Sequence, residues 1–103
     1  MATLIVLFNL KSEADSVAYE EWAKSTDLPV VRNLSSVDSF EVYRTAGMYG
    51  SDAAAPYQYV EVIEISDMDQ FGTEVSTDTM AKVAGEFQGF ADNPVFMVAN
   101  KFS

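Results

Sequence analysis

Four stretches of the sequence have the hydrophobic pattern of β-strands. Residues Ala2–Leu10 form a continuous run of large and β-branched apolar side chains, which is typical of a strand buried on both faces. In residues 39–45 and 57–65, successive side chains would point to opposite faces of a sheet, which is the pattern of a strand. Residues 95–102 are predicted to form the last strand. Residues 46–56 contain two glycines and a proline, so we expect a long hairpin loop between the second and third strands.

The segments between these strands have the spacing of amphipathic helices. Apolar residues between positions 14 and 22 predict a first helix with Ser12 as its N-cap, ending near residues 25–27 ahead of Pro29. A short helical segment over residues 28–34 follows it. A short helix from about residue 67 and a longer helix from about residue 77 precede the last strand, and we expect Asn93 and Pro94 to end the longer one.

The element order β-α-β-β-α-β predicts an α+β, ferredoxin-like fold with one domain over residues 1–103. Such a fold has a four-stranded antiparallel sheet with helices on one face. We expect the first and last strands in the middle of this sheet, because both are apolar on both faces. Helices cover only one face, and a large uncovered apolar face is unusual in a monomer. The pattern therefore predicts a homodimer through the sheet faces.

The composition of the 103 residues excludes several kinds of chemistry. There is no cysteine or histidine, which excludes disulfides, Cys/His zinc sites, thiol nucleophiles and imidazole bases. Acidic residues outnumber basic ones by 16 to 6, and the net charge of −10 argues against nucleic acid or an anionic membrane as a partner. The acidic residues between 67 and 78 suit helix N-termini better than a cation site, so we expect no metal.

The hydrophobic runs are too short for a membrane protein. None approaches the roughly 18 apolar residues of a membrane span. The apolar N-terminal stretch lacks the basic start and the cleavage site of a signal peptide. We therefore expect a cytoplasmic protein that does not cross a membrane.

Three charged residues are candidates for catalysis. Glu61 lies in a mostly apolar strand, on the opposite face from Glu64, and a carboxylate in a dry pocket has a raised pKa suited to acid–base work near neutral pH. The alternative for Glu61 is a solvated or ion-paired edge position. Asp27 lies where the first helix should end, and its alternative is an N-cap of the next helical segment. Arg44 has the donors to hold a carbonyl or carboxylate, and its alternative is a salt bridge with an acidic residue.

Four further residues are candidates for substrate binding. Trp22, Tyr43 and Tyr59 are aromatic side chains suited to line a flat pocket, although Trp22 on the apolar helix face also fits the core. Asn9 interrupts an apolar strand, and a buried amide needs partners. Its side chain therefore either bonds to backbone at the strand end or faces a ligand.

Several motifs resemble a known protein family. They are YEEWA at 19–23, TDLP at 26–29, LSSVDSFEVYR at 34–44 and DNPVF at 92–96, together with the strand over 57–65 and the DMDQF segment at 67–71. These motifs resemble the RedY-like (HapK-like) proteins encoded in gene clusters for prodiginine pigments and related alkaloids. That family is similar to the EthD-like proteins and cofactor-free monooxygenases of the dimeric α+β barrel superfamily.

The resemblance implies a face-to-face dimer with a ligand cleft between the helices and the sheet of each protomer. It also implies a cofactor-independent enzyme of secondary metabolism that acts on a small aromatic pyrrole- or indole-type alkaloid intermediate, steering a cyclisation or condensation by proton transfer. EthD-like relatives often carry a histidine where Thr26 stands here, so a histidine mechanism does not transfer. The alternatives are a cofactor-free monooxygenase and a non-catalytic binding protein that shields a reactive intermediate.

Overall fold

The sheet has the predicted antiparallel, four-stranded form. A computed structural model describes residues 1–103 and contains strands β1 (Ala2–Leu10), β2 (Val37–Arg44), β3 (Tyr59–Ile65) and β4 (Ala91–Ala99). All strand pairs are antiparallel, and the order across the sheet is β2-β3-β1-β4. Helices pack on one face of this sheet. The predicted ferredoxin-like α+β fold is therefore confirmed.

The position of β4 differs from the prediction. The central strands are β1 and β3, whereas β4 pairs only with β1 and forms an edge, so the expectation of a central last strand is wrong. Its apolar side chains suggested burial, yet Phe96 is 54% and Val98 is 60% exposed. The strand β3 is central although it carries two glutamates, because Glu61 is buried on the helical side and Glu64 accepts hydrogen bonds from Thr3.

One continuous helical stretch connects β1 to β2. It consists of α1 (Ser16–Trp22), a π-helical turn (Ala23–Asp27) and α2 (Leu28–Arg32), with helical backbone angles at both junctions. The cap is Asp15, whose side chain accepts a hydrogen bond from a backbone N–H of the first turn, as aspartate commonly does at this position. The predicted Ser12 cap is wrong, because Ser12 lies one turn too early and bonds to a neighbouring side chain instead.

Two further helices, α3 (Met68–Glu74) and α4 (Asp78–Phe90), connect β3 to β4. They begin within one residue of the predicted positions. The caps are Asp67 and Thr77, whose side chains accept hydrogen bonds from backbone N–H groups of the first turns. None of the helices in the protein has the length and apolar character needed to cross a membrane.

The end of α4 differs from the prediction. The helix stops at Phe90 rather than at Asn93 and Pro94, because Ala91 and Asp92 already pair with the end of β1. Asn93 instead lies inside β4 with a φ of 46°, next to a shift in the β1–β4 register. Asparagine tolerates this left-handed conformation better than most residues.

The alternation of side chains along the strands determines what reaches the core. The odd-numbered residues of β3 are buried on the helical side, and the even-numbered residues lie on the outer face. On β1, the buried Val6 and Phe8 pack in one cluster with Tyr19, Tyr59 and Phe87. We call the opposite side, which the helices leave uncovered, the outer face of the sheet.

Candidate active site

A cavity of about 300 Å³ lies between the inner face of the sheet and the helices. All but three of its lining residues are hydrophobic, and four phenylalanines give it aromatic walls: Phe40, Phe71, Phe87 and Phe96. The three polar lining residues are Asp27, Glu61 and Gln88. A mostly apolar pocket with a few polar groups is the usual form of a small-molecule site.

The π-helical turn directs Asp27 towards this cavity. Buried residues follow one another at intervals of four along the helical stretch, at Tyr19, Ala23, Asp27 and Val31. In a regular α-helix each step of four residues rotates the side chain by about 40°, so the four residues would drift off one face. The wider π-turn takes up this rotation. It also lies just before Pro29, whose ring clashes with the carbonyl four residues earlier in a regular α-helix.

The Asp27 carboxylate has no partner in the protein. Its backbone is helical and its side chain makes no capping hydrogen bond, so the alternative prediction of an N-cap is wrong. Neither ion pair of the protein includes it. Every side-chain polar atom that is sealed from solvent has a hydrogen-bond partner, so the unpaired Asp27 oxygens must be open to the cavity they line. The residue is 6% exposed, and burial raises its pKa to about 6.

Glu61 reaches the same cavity from the central strand β3. It lies on the inner face with only 5% exposure, so the alternative of a solvated or ion-paired edge position is wrong. The Tyr19 hydroxyl donates a long hydrogen bond of 3.5 Å to its Oε2 atom. Burial raises the pKa of Glu61 to about 8, with a further contribution from the negative charge of Asp27.

The two carboxyl groups therefore differ in protonation near neutral pH. At pH 7 a group with a pKa of about 6 is mostly ionised, and one with a pKa of about 8 is mostly protonated. Asp27 is then a proton acceptor and Glu61 a proton donor in one apolar space, a recurrent arrangement for acid–base chemistry. Nowhere in the protein do three acidic side chains come close enough together to hold a metal ion.

Arg44 and Tyr59 lie outside the lining of this cavity. Both line a second cavity of about 230 Å³, which Tyr19 also borders. The Arg44 side chain is 70% exposed, and its Nη1 atom lies 3.3 Å from the Oε2 atom of Glu20. The Tyr59 hydroxyl donates to the same oxygen at 2.7 Å. The structure thus gives Arg44 the ion pair that was its alternative prediction.

Asn9 bonds to backbone at the end of its strand. Its Nδ2 atom donates to the Pro56 carbonyl at 3.1 Å, and its Oδ1 atom accepts from the Gln58 N–H at 2.9 Å. Both partners belong to the segment that leads from the hairpin loop into β3. Of the two predictions for Asn9, the structure therefore supports the backbone anchor.

Trp22 and Tyr43 also lie away from the carboxyl groups. The Trp22 ring packs against Phe90, with ring centroids 5.4 Å apart, and its Nε1 atom donates to Glu86. Tyr43 is 56% exposed and lies on the outer face of β2. Of the seven residues predicted for the site, the cavity brings together only Asp27 and Glu61.

Two further residues lie near the carboxyl groups, and neither is among the seven predicted for the site. Tyr19 is fully buried, and burial together with the charge of Glu61 raises the pKa of its hydroxyl, so it stays a hydrogen-bond donor. The signal for Tyr19 was its place in the four-residue series that leads to Asp27. Gln88 lines the cavity from α4, and no pattern in the sequence marks it.

The sequence matches one protein family along nearly its whole length. The family is described as REDY-like protein HapK, and its match spans residues 2–102. A search among curated proteins finds no match. Among solved structures, HapK from Hahella chejuensis is 31% identical, with a TM-score of 0.79, over 99% of this chain and 93% of HapK.

More distant structures share the fold. An EthD family protein from Bacillus halodurans is 18% identical, with a TM-score of 0.75 over 99% of both chains. SnoaB from Streptomyces nogalater, described as a cofactor-independent oxygenase, is 11% identical, with a TM-score of 0.79 over 99% of this chain and 93% of SnoaB. Proteins of this fold from Bacteroides fragilis and Thermobifida fusca, each 12% identical, are described as dimeric. With the family match across residues 2–102, this protein belongs to the REDY-like HapK family.

Proposed function

We propose that the protein is a cofactor-independent enzyme of secondary metabolite biosynthesis that acts on an aromatic pyrrole- or indole-type alkaloid intermediate. It steers a cyclisation or condensation of that intermediate by proton transfer. The observation that carries the proposal is the pair of buried carboxyl groups, Asp27 and Glu61, in an otherwise apolar cavity. Membership of the HapK family supports the biosynthetic role.

The two buried carboxyl groups indicate a functional site, because their burial destabilises the folded protein. A buried carboxylate without a counter-ion or a full set of hydrogen bonds destabilises the folded state. Asp27 has no partner, and Glu61 has only the long bond from Tyr19. Groups of this kind, with raised pKa values in a cavity, are characteristic of functional sites.

In the proposed reaction the two residues exchange protons with the substrate in opposite directions. Asp27 removes a proton from the substrate, and Glu61 donates one to the atom or leaving group that gains negative charge. Each turnover leaves Asp27 protonated and Glu61 ionised, and exchange with solvent restores the starting states. Positioned acid and base groups contribute about 10²–10⁴-fold to a rate. Arg44 has no place in the cavity lining, so we propose no direct part for it in these transfers.

The cavity walls supply the second part of the proposed mechanism. The four phenylalanines that line it offer flat apolar surfaces to an aromatic substrate. Holding the substrate in a folded conformation brings its reacting atoms together before the chemical step. This positioning lowers the entropic part of the barrier.

We also propose that two protomers pair through the outer face of the sheet. The middle of that face is apolar, with Ile5, Leu7, Val60, Val62 and Met97 on three adjacent strands. A large apolar face of this kind is usually covered in water-soluble proteins. The dimeric proteins of this fold from Bacteroides fragilis and Thermobifida fusca support the pairing.

The proposed function is tested with the intermediate that accumulates when the gene is deleted in its native host. The purified intermediate is incubated with the purified protein, without dioxygen or added cofactor, and products are followed by mass spectrometry. We expect conversion by the wild-type protein. We expect Glu61→Gln and Asp27→Asn each to lower kcat by about 10²–10⁴-fold, because each removes one proton-transfer group.

Glu64→Gln and Asp38→Asn are the matched controls for this experiment. They make the same chemical changes on the outer face of β3 and at an exposed position of β2, and we expect wild-type rates. Wild-type rates for Glu61→Gln and Asp27→Asn would contradict the proposal. A requirement for dioxygen would identify an oxygenase instead, and tight binding without turnover would identify a binding protein.

A further inference from the structure

The cavity lining carries negative charge with no positive charge to balance it. The polar atoms that line it belong to Asp27, Glu61 and the neutral amide of Gln88, and no lysine or arginine is among the lining residues. Asp27 is nine-tenths buried, has no hydrogen-bond or ion-pair partner and lines the cavity. An uncompensated carboxylate in an apolar space lacks a cation, and the ligand is the remaining source of one.

The basic residues of the helical stretch and of β2 do not line this cavity. Arg44 and Lys24 line the other cavity, and Arg44 is paired with Glu20. Arg32, at the end of α2, is paired with Glu41 and donates to the Phe40 carbonyl. Asp27 therefore has no ion-pair partner in the protein, and no basic side chain shares its cavity.

From this arrangement we propose that the cavity is specific for a flat hydrophobic ligand with a protonated nitrogen, an amine or iminium group that lies between the carboxyl groups of Asp27 and Glu61. The inference rests on the proposed function, because it concerns the ligand of the same cavity. The inference specifies that the aromatic ligand carries a positive charge.

Three physical effects favour such a ligand over neutral or anionic ones. Charge-assisted hydrogen bonds from a protonated nitrogen to a carboxylate are roughly twice as strong as neutral ones. The phenylalanine rings of the lining attract a cation through their faces. An anionic ligand meets the Asp27 charge inside the cavity and the net charge of −10 of the whole chain outside it.

The test uses three probes that share one ring system and differ in charge. They are tryptamine, which is protonated at neutral pH, neutral 3-ethylindole and anionic indole-3-propionate. Binding to the whole protein is measured at pH 7 by following amide signals in NMR titrations up to millimolar probe. We expect tryptamine to bind about 10- to 100-fold more tightly than 3-ethylindole, and indole-3-propionate more weakly than both.

The variant Asp27→Asn removes the charge while keeping the shape of the side chain. We expect its affinity for tryptamine to fall to the level of 3-ethylindole, and its unchanged affinity for 3-ethylindole shows that the cavity is intact. Equal or tighter binding of 3-ethylindole or indole-3-propionate to the wild-type protein overturns the inference, as does no binding of tryptamine, whether or not the variant folds. The proposed function fails separately, if Asp27→Asn converts the accumulated intermediate at the wild-type rate.

Discussion

Glu61 occupies the middle of the sheet, where its carboxyl group makes folding dependent on pH. Burial and the charge of Asp27 raise its pKa from 4.5 to about 8 in the folded protein, and Tyr19 is the other titratable group that faces it. The folded state therefore holds the Glu61 proton more tightly than the unfolded state does. The group costs no stability below pH 4.5, and the free energy of unfolding falls as the pH rises from 4.5 to 8.

We expect Glu61→Gln to remove this pH dependence. The variant should match the wild-type protein near pH 4 and exceed its free energy of unfolding near pH 9 by on the order of a few kcal/mol. Urea denaturation at several pH values measures the difference, and Glu64→Gln should keep the wild-type slope. Asp27 contributes a smaller slope of the same sign, which remains in the variant. Equal stabilities of Glu61→Gln and the wild-type protein near pH 9 would refute the burial of an ionisable Glu61.

Residue patterns predicted Glu61 better than Asp27. The strict alternation in β3 placed Glu61 and Glu64 on opposite faces, and the structure agrees. The π-turn that directs Asp27 into the cavity cannot be recognised from a hydrophobic pattern with a period of 3.6 residues. The sequence therefore predicts Asp27 at the end of a helix instead of within a continuous helical stretch. The surroundings of Arg44, Asn9 and Trp22 depend on contacts with distant segments, and neither spacing nor composition encodes those contacts.

At the level of elements, the hydrophobic pattern predicted the order of strands and helices along the chain. It did not predict the position of each strand within the sheet. Long periodic segments define strands and helices locally, which is why the βαββαβ order was predicted from the sequence. Two apolar faces on β4 predicted a central strand, yet its place at the edge leaves Phe96 and Val98 exposed in the protomer. A hydrophobic pattern indicates that the side chains of a strand will be buried. It does not indicate whether they are buried by the same chain or by a second protomer.

The helix α3 forms a wall of the cavity although none of its residues is fully buried. One side chain ties it to the start of β2, because the Glu74 carboxylate accepts hydrogen bonds from the N–H and hydroxyl groups of Ser35 and Ser36. These hydrogen bonds lower the pKa of Glu74 to about 2, so its carboxylate stays ionised at any pH relevant to the proposed reaction. Phe71, which lines the cavity, belongs to the same helix.

At the scale of the whole molecule, the helices leave the apolar outer face of the sheet uncovered, and the proposed pairing of two protomers covers it. We expect light scattering to give the mass of a dimer at micromolar concentration. Val62→Lys places a charge in the middle of that face, next to Ile5 on β1, and should shift the protein to monomer. Asp38→Lys, which adds a lysine at an exposed position of β2, should remain dimeric. A stable wild-type monomer at this concentration would contradict the proposed pairing.

The acid–base pair itself is measured most directly by a carbon-13 NMR titration of the side-chain carboxyl groups in the whole protein. We expect one glutamate with a midpoint near pH 8 and one aspartate with a midpoint near pH 6. The first signal should be absent from Glu61→Gln and the second from Asp27→Asn. If every carboxyl group of the wild-type protein titrates below about pH 5, the values of ordinary solvated carboxylates, then no proton donor and acceptor face each other in this cavity at neutral pH.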